Sequence, residues 1–157
     1  MNFSEAINSG YANYFRLQGR ARRAEYWWFV LFGFLLDLVV MVFQVFERLS
    51  APPLHLIFGL FALVFGLAQL STIIPSVTLE VRRLHDTGRS GKWVAWQIAA
   101  LIFAVFLLTA GAAARSTPVV LFGTALGAVS FALSLAIFVF LLLPGDRNDN
   151  PYGTPRT

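Results

Sequence analysis

Four long apolar stretches constrain the fold of this chain more than any other feature. They cover residues 26–47, 54–80, 93–113 and 118–143. A helix needs about 20 apolar residues to cross a hydrocarbon core of about 30 Å, so each stretch is long enough for one crossing. The connections after the first and third stretches are too short to hold a domain. We therefore predict an all-α, polytopic membrane protein with four transmembrane helices in two antiparallel hairpins.

The composition supports a membrane protein. Only 13% of the 157 residues are charged, whereas a soluble domain carries about 25%, and the mean hydropathy is +0.68. We expect one membrane domain over residues 1–157. The chain contains no cysteine, which removes disulfides and thiolate metal sites from consideration, and we expect no metal and no cofactor.

Positive charge is concentrated on one predicted side of the membrane. Ten cations lie before the first stretch, between the second and third, or after the fourth, whereas the other two connections carry only Arg48 and Arg115. The positive-inside rule therefore places both termini in the cytoplasm. Anionic lipid attracts such cations by about 1 kcal/mol each, so the net charge of +4 does not require a nucleic-acid partner. The ten cations are Arg16, Arg20, Arg22, Arg23, Arg82, Arg83, Arg89, Lys92, Arg147 and Arg156.

Both ends of the chain are expected at this cytoplasmic surface. Over residues 3–18, apolar residues such as Phe3, Ile7 and Tyr11 recur at helical spacing, which predicts an amphipathic helix lying in the membrane interface. Ser4 is a candidate N-cap of that helix. Residues 144–157 are rich in Pro, Gly and Asn, which is typical of a tail folded into turns.

A dense polar segment, residues 82–93, separates the second and third stretches. Its cations, together with Gly88 and Gly91, could form a phosphate-sized site at the start of the third transmembrane helix. A topological anchor under the positive-inside rule explains the same charges. His85 and Asp86 resemble half of an acid–base site, although adjacent residues on a helix do not share a face. Asp86 could instead turn the loop and pair with an arginine.

Two polar residues fall near the middle of the predicted spans. Asp37 lies in the first span and Gln69 in the second, at similar depth. A carboxylate at the centre of a bilayer costs roughly 2.5–3.5 kcal/mol on insertion scales, which makes Asp37 a candidate for an ion pathway. A hydrogen bond between Asp37 and Gln69 is the structural alternative. Pro75 is expected to free a backbone carbonyl and to kink the second helix.

Three cytoplasmic segments carry a resemblance to a known family. They read NYF at 13–15 with GRARRAEYWW at 19–28, RRLHDTGRSGKW at 82–93, and PG at 144–145 with NPYG at 150–153. In these motifs the chain resembles the bacterial inner-membrane family called domain of unknown function 805, with small departures at Lys92 and Pro151. The resemblance implies this fold, an inner-membrane location and one unit formed by the three segments. It implies no particular reaction.

The sequence thus favours a non-enzymatic protein whose cytoplasmic face binds anionic lipid headgroups or a protein partner, which could be a second copy of the chain. Two alternatives stay open. One is a small transporter or channel that uses Asp37, and the other is an enzyme on a lipid-linked phosphate with His85 and Asp86 as acid and base. The residues assigned to the binding face are Arg20, Arg22, Arg23, Glu25, Arg82, Arg83, His85, Asp86, Arg89 and Arg147.

Overall fold

The computed structural model describes residues 1–155, and this part of the chain contains helices but no strand. Arg156, one of the ten cations named above, lies outside the described residues. Four helical segments are long and apolar enough to cross a membrane, and one of them, Leu54–Asp86, consists of two consecutive helices. The predicted all-α fold with four membrane-spanning segments is confirmed. The helices are α1 (Phe3–Ala12), α2 (Arg23–Leu49), α3 (Leu54–Ser71), α4 (Ile73–Asp86), α5 (Lys92–Ala113) and α6 (Thr117–Leu142).

The chain divides into two compact units. The first consists of Met1–Leu17 and Ala21–Leu79, and the second consists of Gln18–Arg20 together with the chain from Glu80 onward. The first unit contains α1 and the hairpin of α2 and α3, whereas the second contains the hairpin of α5 and α6. The boundary falls within α4, so the last turns of α4 belong to the second unit.

The helix α1 is shorter than the predicted interfacial helix. It begins with a capping box in which Asn2, rather than Ser4, is the N-cap. The Asn2 side chain accepts from the Glu5 amide at 2.9 Å, and the Glu5 carboxylate accepts from the Asn2 amide at 2.8 Å. The helix ends at Ala12 instead of residue 18. Asn13 is its C-cap, with a φ of −110° and a ψ of 34°, and both its amide and its side chain donate to the Ser9 carbonyl, at 3.1 and 2.8 Å.

Aromatic side chains join α1 to α2. The Tyr11 ring lies edge-on to Phe29, with 5.9 Å between ring centroids, and Phe3 meets Phe32 at 6.4 Å. Phe29 is 1% exposed. Such edge-to-face pairs contribute about 0.5–1.5 kcal/mol beyond area burial. Much of the aromatic face of α1 therefore packs on protein, whereas the sequence predicted that it would face lipid.

The helical ladder is interrupted at Thr72, between α3 and α4. Pro75 has no N–H for the Ser71 carbonyl, and its ring crowds that carbonyl. The Thr72 amide and hydroxyl both donate to the Gln69 carbonyl, at 3.0 and 2.8 Å, which makes a tighter turn than the α-helix. The helix is thus interrupted one turn before Pro75, in the region where the kink was expected.

Small residues bring α5 and α6 close together in the second unit. A Cβ added at Gly123 would lie 3.0 Å from the backbone nitrogen of Leu108. The Gln97 side chain donates to the Ser134 hydroxyl at 3.1 Å across the same pair of helices. Close backbone approach and interhelical hydrogen bonds are the usual means of holding helices together in lipid. Gly123 therefore serves packing within the chain.

Replacing Gly10 by Ala should weaken the packing of α1 on α2. An added Cβ would lie 2.5 Å from the Phe29 ring, which is buried and has little room to move. Overpacking of this kind costs about 1–3 kcal/mol. The free energy of unfolding, from SDS titration in mixed micelles, should fall relative to Gly33→Ala, since Gly33 has no atom within 4 Å of the added Cβ. Equal stability of the two variants would contradict this packing.

Candidate functional site

The polar segment begins where α4 ends in a Schellman motif. Gly88 adopts a φ of +72°, a left-handed conformation that glycine reaches at no steric cost. Its amide donates to the His85 carbonyl at 3.1 Å, and the Arg89 amide donates to the Leu84 carbonyl at 2.9 Å. The chain therefore turns sharply after Asp86. The last turn of α4 stays inside the unit, since residues 81–87 are all buried.

The centre of the buried region is the carboxylate of Asp86, which two arginines share. Arg20 donates from Nε to Asp86 Oδ1 at 2.8 Å, and Arg83 donates from Nη1 to Asp86 Oδ2. Asp86 is 8% exposed, Arg20 is 2% and Arg83 is 0%. Charge-assisted bonds between such groups are about twice as strong as neutral ones. Both carboxylate oxygens of Asp86 thus have an arginine donor.

Arg20 joins the segment before α2 to the tail after α6. Besides Asp86, its guanidinium donates to the carbonyls of Asn148 at 3.0 Å and Gly153 at 3.2 Å, and to the Asp146 carbonyl. Guanidinium offers five N–H groups in a rigid plane and needs acceptors for them when buried. The tail supplies those acceptors. Arg20, the end of α4 and the tail are therefore brought together in the second unit. Of the first segment that carries the resemblance, only Gly19 and Arg20 belong to this unit, and a single unit formed by all three segments stays a prediction.

Arg83 caps the end of α6. Its Nε donates to the Leu141 carbonyl at 3.3 Å, and its Nη2 donates to the Leu143 carbonyl. The last carbonyls of a helix have no intrahelical partner and carry the negative end of the helix dipole. A buried cation at this position is satisfied by those carbonyls and by Asp86. Arg83 is thus a structural residue of the second unit.

The tail lies over His85 and Asp86. The Tyr152 ring stacks on the His85 ring at 3.8 Å, with only 2° between the planes. The Asn150 side chain donates to the His85 carbonyl at 2.9 Å, and the Asp146 amide donates to the Asp86 carbonyl at 2.8 Å. The Asp86 carboxylate packs against Gly145, where any larger residue would clash with it, because an added Cβ would overlap the carboxylate. The sequence analysis did not identify Asn150 or Tyr152 as site residues.

This arrangement does not join His85 and Asp86 into one acid–base unit. His85 Nδ1 lies 3.2 Å from the Gly19 carbonyl, and both oxygens of Asp86 face arginines. Among residues 1–155, no group of three or more His, Asp or Glu side chains is placed to hold a metal ion. The second expectation, that Asp86 holds the turn and pairs with an arginine, is the one that the structure shows.

The other predicted cations of the second unit differ in exposure. Arg82 is 1% exposed and donates to the Arg20 carbonyl at 3.5 Å. Arg89 is half-buried, and its guanidinium carbon lies 4.0 Å from the centre of the Phe140 ring, a cation–π contact. Lys92 and Arg147 are exposed. Lys92 and Arg147 are therefore accessible at the surface of the unit, whereas Arg82 is not.

Three predicted site residues belong to the first unit, at the start of α2. Arg22 is the N-cap of α2 and Arg23 is its first residue, and both are exposed. Glu25 is 1% exposed, and its carboxylate accepts from the Ser9 hydroxyl of α1 at 2.7 Å. Arg22 and Arg23 are open to a ligand, whereas Glu25 holds α1 against α2.

Two cavities flank the two ends of α2. An apolar cavity of about 320 Å³ lies next to Arg23 and is lined by Ala24, Trp27, Trp28 and Leu31. A polar cavity of about 550 Å³ lies at the other end of the helix. This second cavity was not predicted from the sequence, although Glu47 and His55 on either side of a short connection were a visible signal. Its lining residues are Gln44, Glu47, Arg48, Ser50, Pro52 and His55.

The expected hydrogen bond between Asp37 and Gln69 is absent from the described chain. Asp37 is exposed on α2, and Gln69 Oε1 is buried without a hydrogen-bond partner. The side chains thus do not form the structural pair that the sequence suggested, because Asp37 is turned away from the interior of its unit. An ion pathway through Asp37 stays a prediction.

Replacing Asp86 by Asn should destabilise the second unit. The change removes the carboxylate from two buried guanidinium groups, and breaking a buried ion pair in this way costs about 3–5 kcal/mol. We expect that loss in the free energy of unfolding from SDS titration. Asp149→Asn is the matched control, because Asp149 is an exposed carboxylate in the tail of the same unit. A loss no larger than that of the control would show that the pairing contributes little.

Comparison with known proteins places the chain in one family. The family described as "Protein of unknown function (DUF805)" matches residues 14–154, a range that includes every predicted site residue. The chain is 35% identical to inner membrane protein YhaI of Escherichia coli K12 in an alignment of 107 positions, which covers 63% of this chain and 79% of YhaI. It is 34% identical to inner membrane protein YhaH of the same organism over 85 residues, which are 52% of this chain and 62% of YhaH.

No solved structure matches the chain significantly. The match to the family covers the segment before α2, the four spans and the tail, and the two relatives are inner membrane proteins. This chain therefore belongs to the DUF805 family of membrane proteins.

Proposed function

We propose that this protein is a multi-pass protein of the bacterial inner membrane, with both termini in the cytoplasm, that binds anionic lipid headgroups without catalysing a reaction. The binding site is formed by Arg22 and Arg23 at the start of α2. The observation that carries the proposal is the exposure of the cations. Arg82 and Arg83 are at most 1% exposed, whereas Arg22 and Arg23 are exposed.

The buried arginines are poor partners for a lipid phosphate. The guanidinium groups of Arg20 and Arg83 already donate to Asp86 and to backbone carbonyls. A phosphate would have to replace those acceptors and would leave them buried without a donor, which costs about 1–3 kcal/mol for each group. Headgroup binding is therefore assigned to exposed cations.

The start of α2 offers more than charge. The Arg22 side chain makes no capping hydrogen bond to α2, so the first amides of the helix lack that partner. These amides form the positive end of the helix dipole, where anions bind. Trp27 is one turn after Arg23, and Trp side chains favour the headgroup level of a membrane. A phosphate at Arg22 and Arg23 would thus lie at the depth expected for a headgroup.

The apolar cavity supports a lipid over a free anion. Its lining residues Ala24, Trp28 and Leu31 follow Arg23 along one side of α2, in the direction of the membrane centre. A volume of about 320 Å³ lies within the range of small-molecule sites. We assign it to the glycerol and the upper acyl chain of the lipid whose phosphate binds the arginines. A soluble anion would gain nothing from this cavity.

Replacing Arg22 and Arg23 together by Gln should weaken binding of an anionic lipid by about 30-fold, since each cation contributes about 1 kcal/mol. The measurement is native mass spectrometry of the detergent-solubilised protein titrated with phosphatidylglycerol and, in parallel, with phosphatidylcholine. Wild-type protein should retain the anionic lipid preferentially. Higher salt should weaken that retention, because it screens exposed charges.

The double variant Lys92→Gln/Arg147→Gln is the matched control. It removes the same number of exposed cations from the second unit and leaves α2 intact. Retention of phosphatidylglycerol should stay close to the wild-type value in this control. An equal loss in both double variants would show attraction by net charge alone and would contradict a site at the start of α2.

Replacing Ala24 by Leu should reduce lipid occupancy without changing charge. Ala24 lines the apolar cavity and is exposed, so a larger side chain enters the cavity without disturbing the buried core. Native mass spectrometry should show weaker retention of phosphatidylglycerol at unchanged salt dependence. Unchanged retention would remove the cavity from the site and would leave the two arginines as a headgroup contact only.

A further inference from the structure

The polar cavity at the far end of α2 has the residues of a second ligand site. Glu47 and Arg48 lie in the last turns of α2, and His55 lies in the first turn of α3. At about 1.5 Å per residue, Glu47 is about 36 Å along α2 from Arg23. This cavity therefore lies at the opposite end of the first unit from the proposed anionic-lipid site and is independent of it.

The charged side chains of this cavity, Glu47 and Arg48, do not stabilise the fold through ion pairs or hydrogen bonds. No ion pair or hydrogen bond joins the Glu47 or Arg48 side chain to another group within the described residues. The carboxylate of Glu47 lies against α3, since a Cβ added at Gly59 would be 3.0 Å from Glu47 Oε1. Glycine at position 59 thus makes the room that holds this carboxylate beside the neighbouring helix.

His55 adds a third polar group. Its Nδ1 is buried and has no hydrogen-bond partner in the described chain. A half-turn of the ring exchanges Nδ1 with a carbon and breaks no hydrogen bond, so either side of the imidazole can be presented to the cavity. A neutral imidazole accepts from an ammonium group or donates to a phosphate. Either role complements the charges of Glu47 and Arg48.

The polar cavity is lined by one negative and one positive side chain, which determines the class of ligand that it can bind. One carboxylate beside one guanidinium disfavours a metal ion and a simple anion alike, because each would meet a like charge. A zwitterion satisfies both groups. The cavity lies where the apolar part of α2 ends, which is the depth of lipid headgroups, and a volume of about 550 Å³ holds such a group.

We propose that this cavity binds the zwitterionic headgroup of an aminophospholipid, with the primary ammonium at Glu47 and the phosphate at Arg48. A primary ammonium has three N–H donors for a carboxylate and an imidazole, whereas a trimethylammonium has none. Charge-assisted hydrogen bonds to Glu47 would therefore favour phosphatidylethanolamine over phosphatidylcholine. Gln44 and Ser50 offer further polar groups at the rim.

The test is a titration of the full chain in detergent with phosphatidylethanolamine and with phosphatidylcholine, followed by native mass spectrometry. Wild-type protein should retain phosphatidylethanolamine preferentially. Glu47→Gln and Arg48→Gln should each weaken that retention by about tenfold, as expected for loss of one charge-assisted contact. Arg22→Gln/Arg23→Gln should leave it unchanged, which separates this site from the one at the start of α2.

Asp37→Asn is the matched control, because it removes an exposed carboxylate from the same helix. Its retention of phosphatidylethanolamine should equal that of the wild type. Gly59→Ala is a second test that keeps every charge, since the added methyl displaces the Glu47 carboxylate by a few tenths of an ångström. It should also weaken retention.

Three results would overturn the proposal. One is retention of the two lipids to the same extent, and another is a loss in Asp37→Asn as large as in Glu47→Gln. The third is displacement of the bound lipid by free phosphoethanolamine at comparable concentration, which would assign the cavity to a soluble zwitterion. If free phosphoethanolamine does not displace the bound lipid, the result supports a lipid ligand, because the acyl chains then contribute to binding.

Discussion

The carboxylate of Asp86 is the group on which the second unit depends. It accepts from Arg20 on one oxygen and from Arg83 on the other. Each of these arginines also donates to backbone carbonyls, Arg20 to the tail and Arg83 to the end of α6.

Burial of two guanidinium groups is tolerable only because one carboxylate and several carbonyls surround them. Through these two arginines, the Asp86 side chain connects Arg20, the end of α4, the end of α6 and the tail. Schellman geometry at Gly88 keeps Asp86 at the centre of this network, since the chain leaves α4 immediately afterwards.

The arginines that the sequence analysis grouped into one basic face have separate roles. Those inside the protein satisfy their N–H groups with protein acceptors and hold segments together. Arg22 and Arg23 have no such burial and lie beside an apolar cavity at the start of a membrane-spanning helix. Charge alone could not distinguish these roles, because every arginine carries the same charge in the sequence. Burial distinguishes them, since a phosphate can bind only those N–H groups that the fold leaves accessible.

The two ends of α2 offer different chemistry to a membrane. The N-terminal end presents cations next to an apolar cavity, which suits an anionic headgroup with its acyl chain. The C-terminal end presents a carboxylate, a guanidinium and an imidazole around a polar cavity, which suits a zwitterion. An α-helix of this length matches the thickness of a bilayer, so residues at its two ends meet the two headgroup layers. Under the two proposals above, the first unit would bind an anionic lipid at one end of α2 and an aminophospholipid at the other.

The sequence by itself determined the fold class, the four membrane-spanning segments, the disturbance at Pro75 and the family. These follow from the length of apolar stretches and from local backbone chemistry, which need no knowledge of distant contacts.

Only the tertiary structure decided which charged side chains make contacts inside the protein and which stay exposed. The sharing of Asp86, the stacking of Tyr152 on His85 and the exposure of Asp37 depend on residues far apart in the chain, and no spacing rule reports them. The shorter α1 and the packing of its aromatic face on α2 were likewise decided by tertiary contacts. A side chain becomes a structural or a binding residue according to the partners that folding places around it.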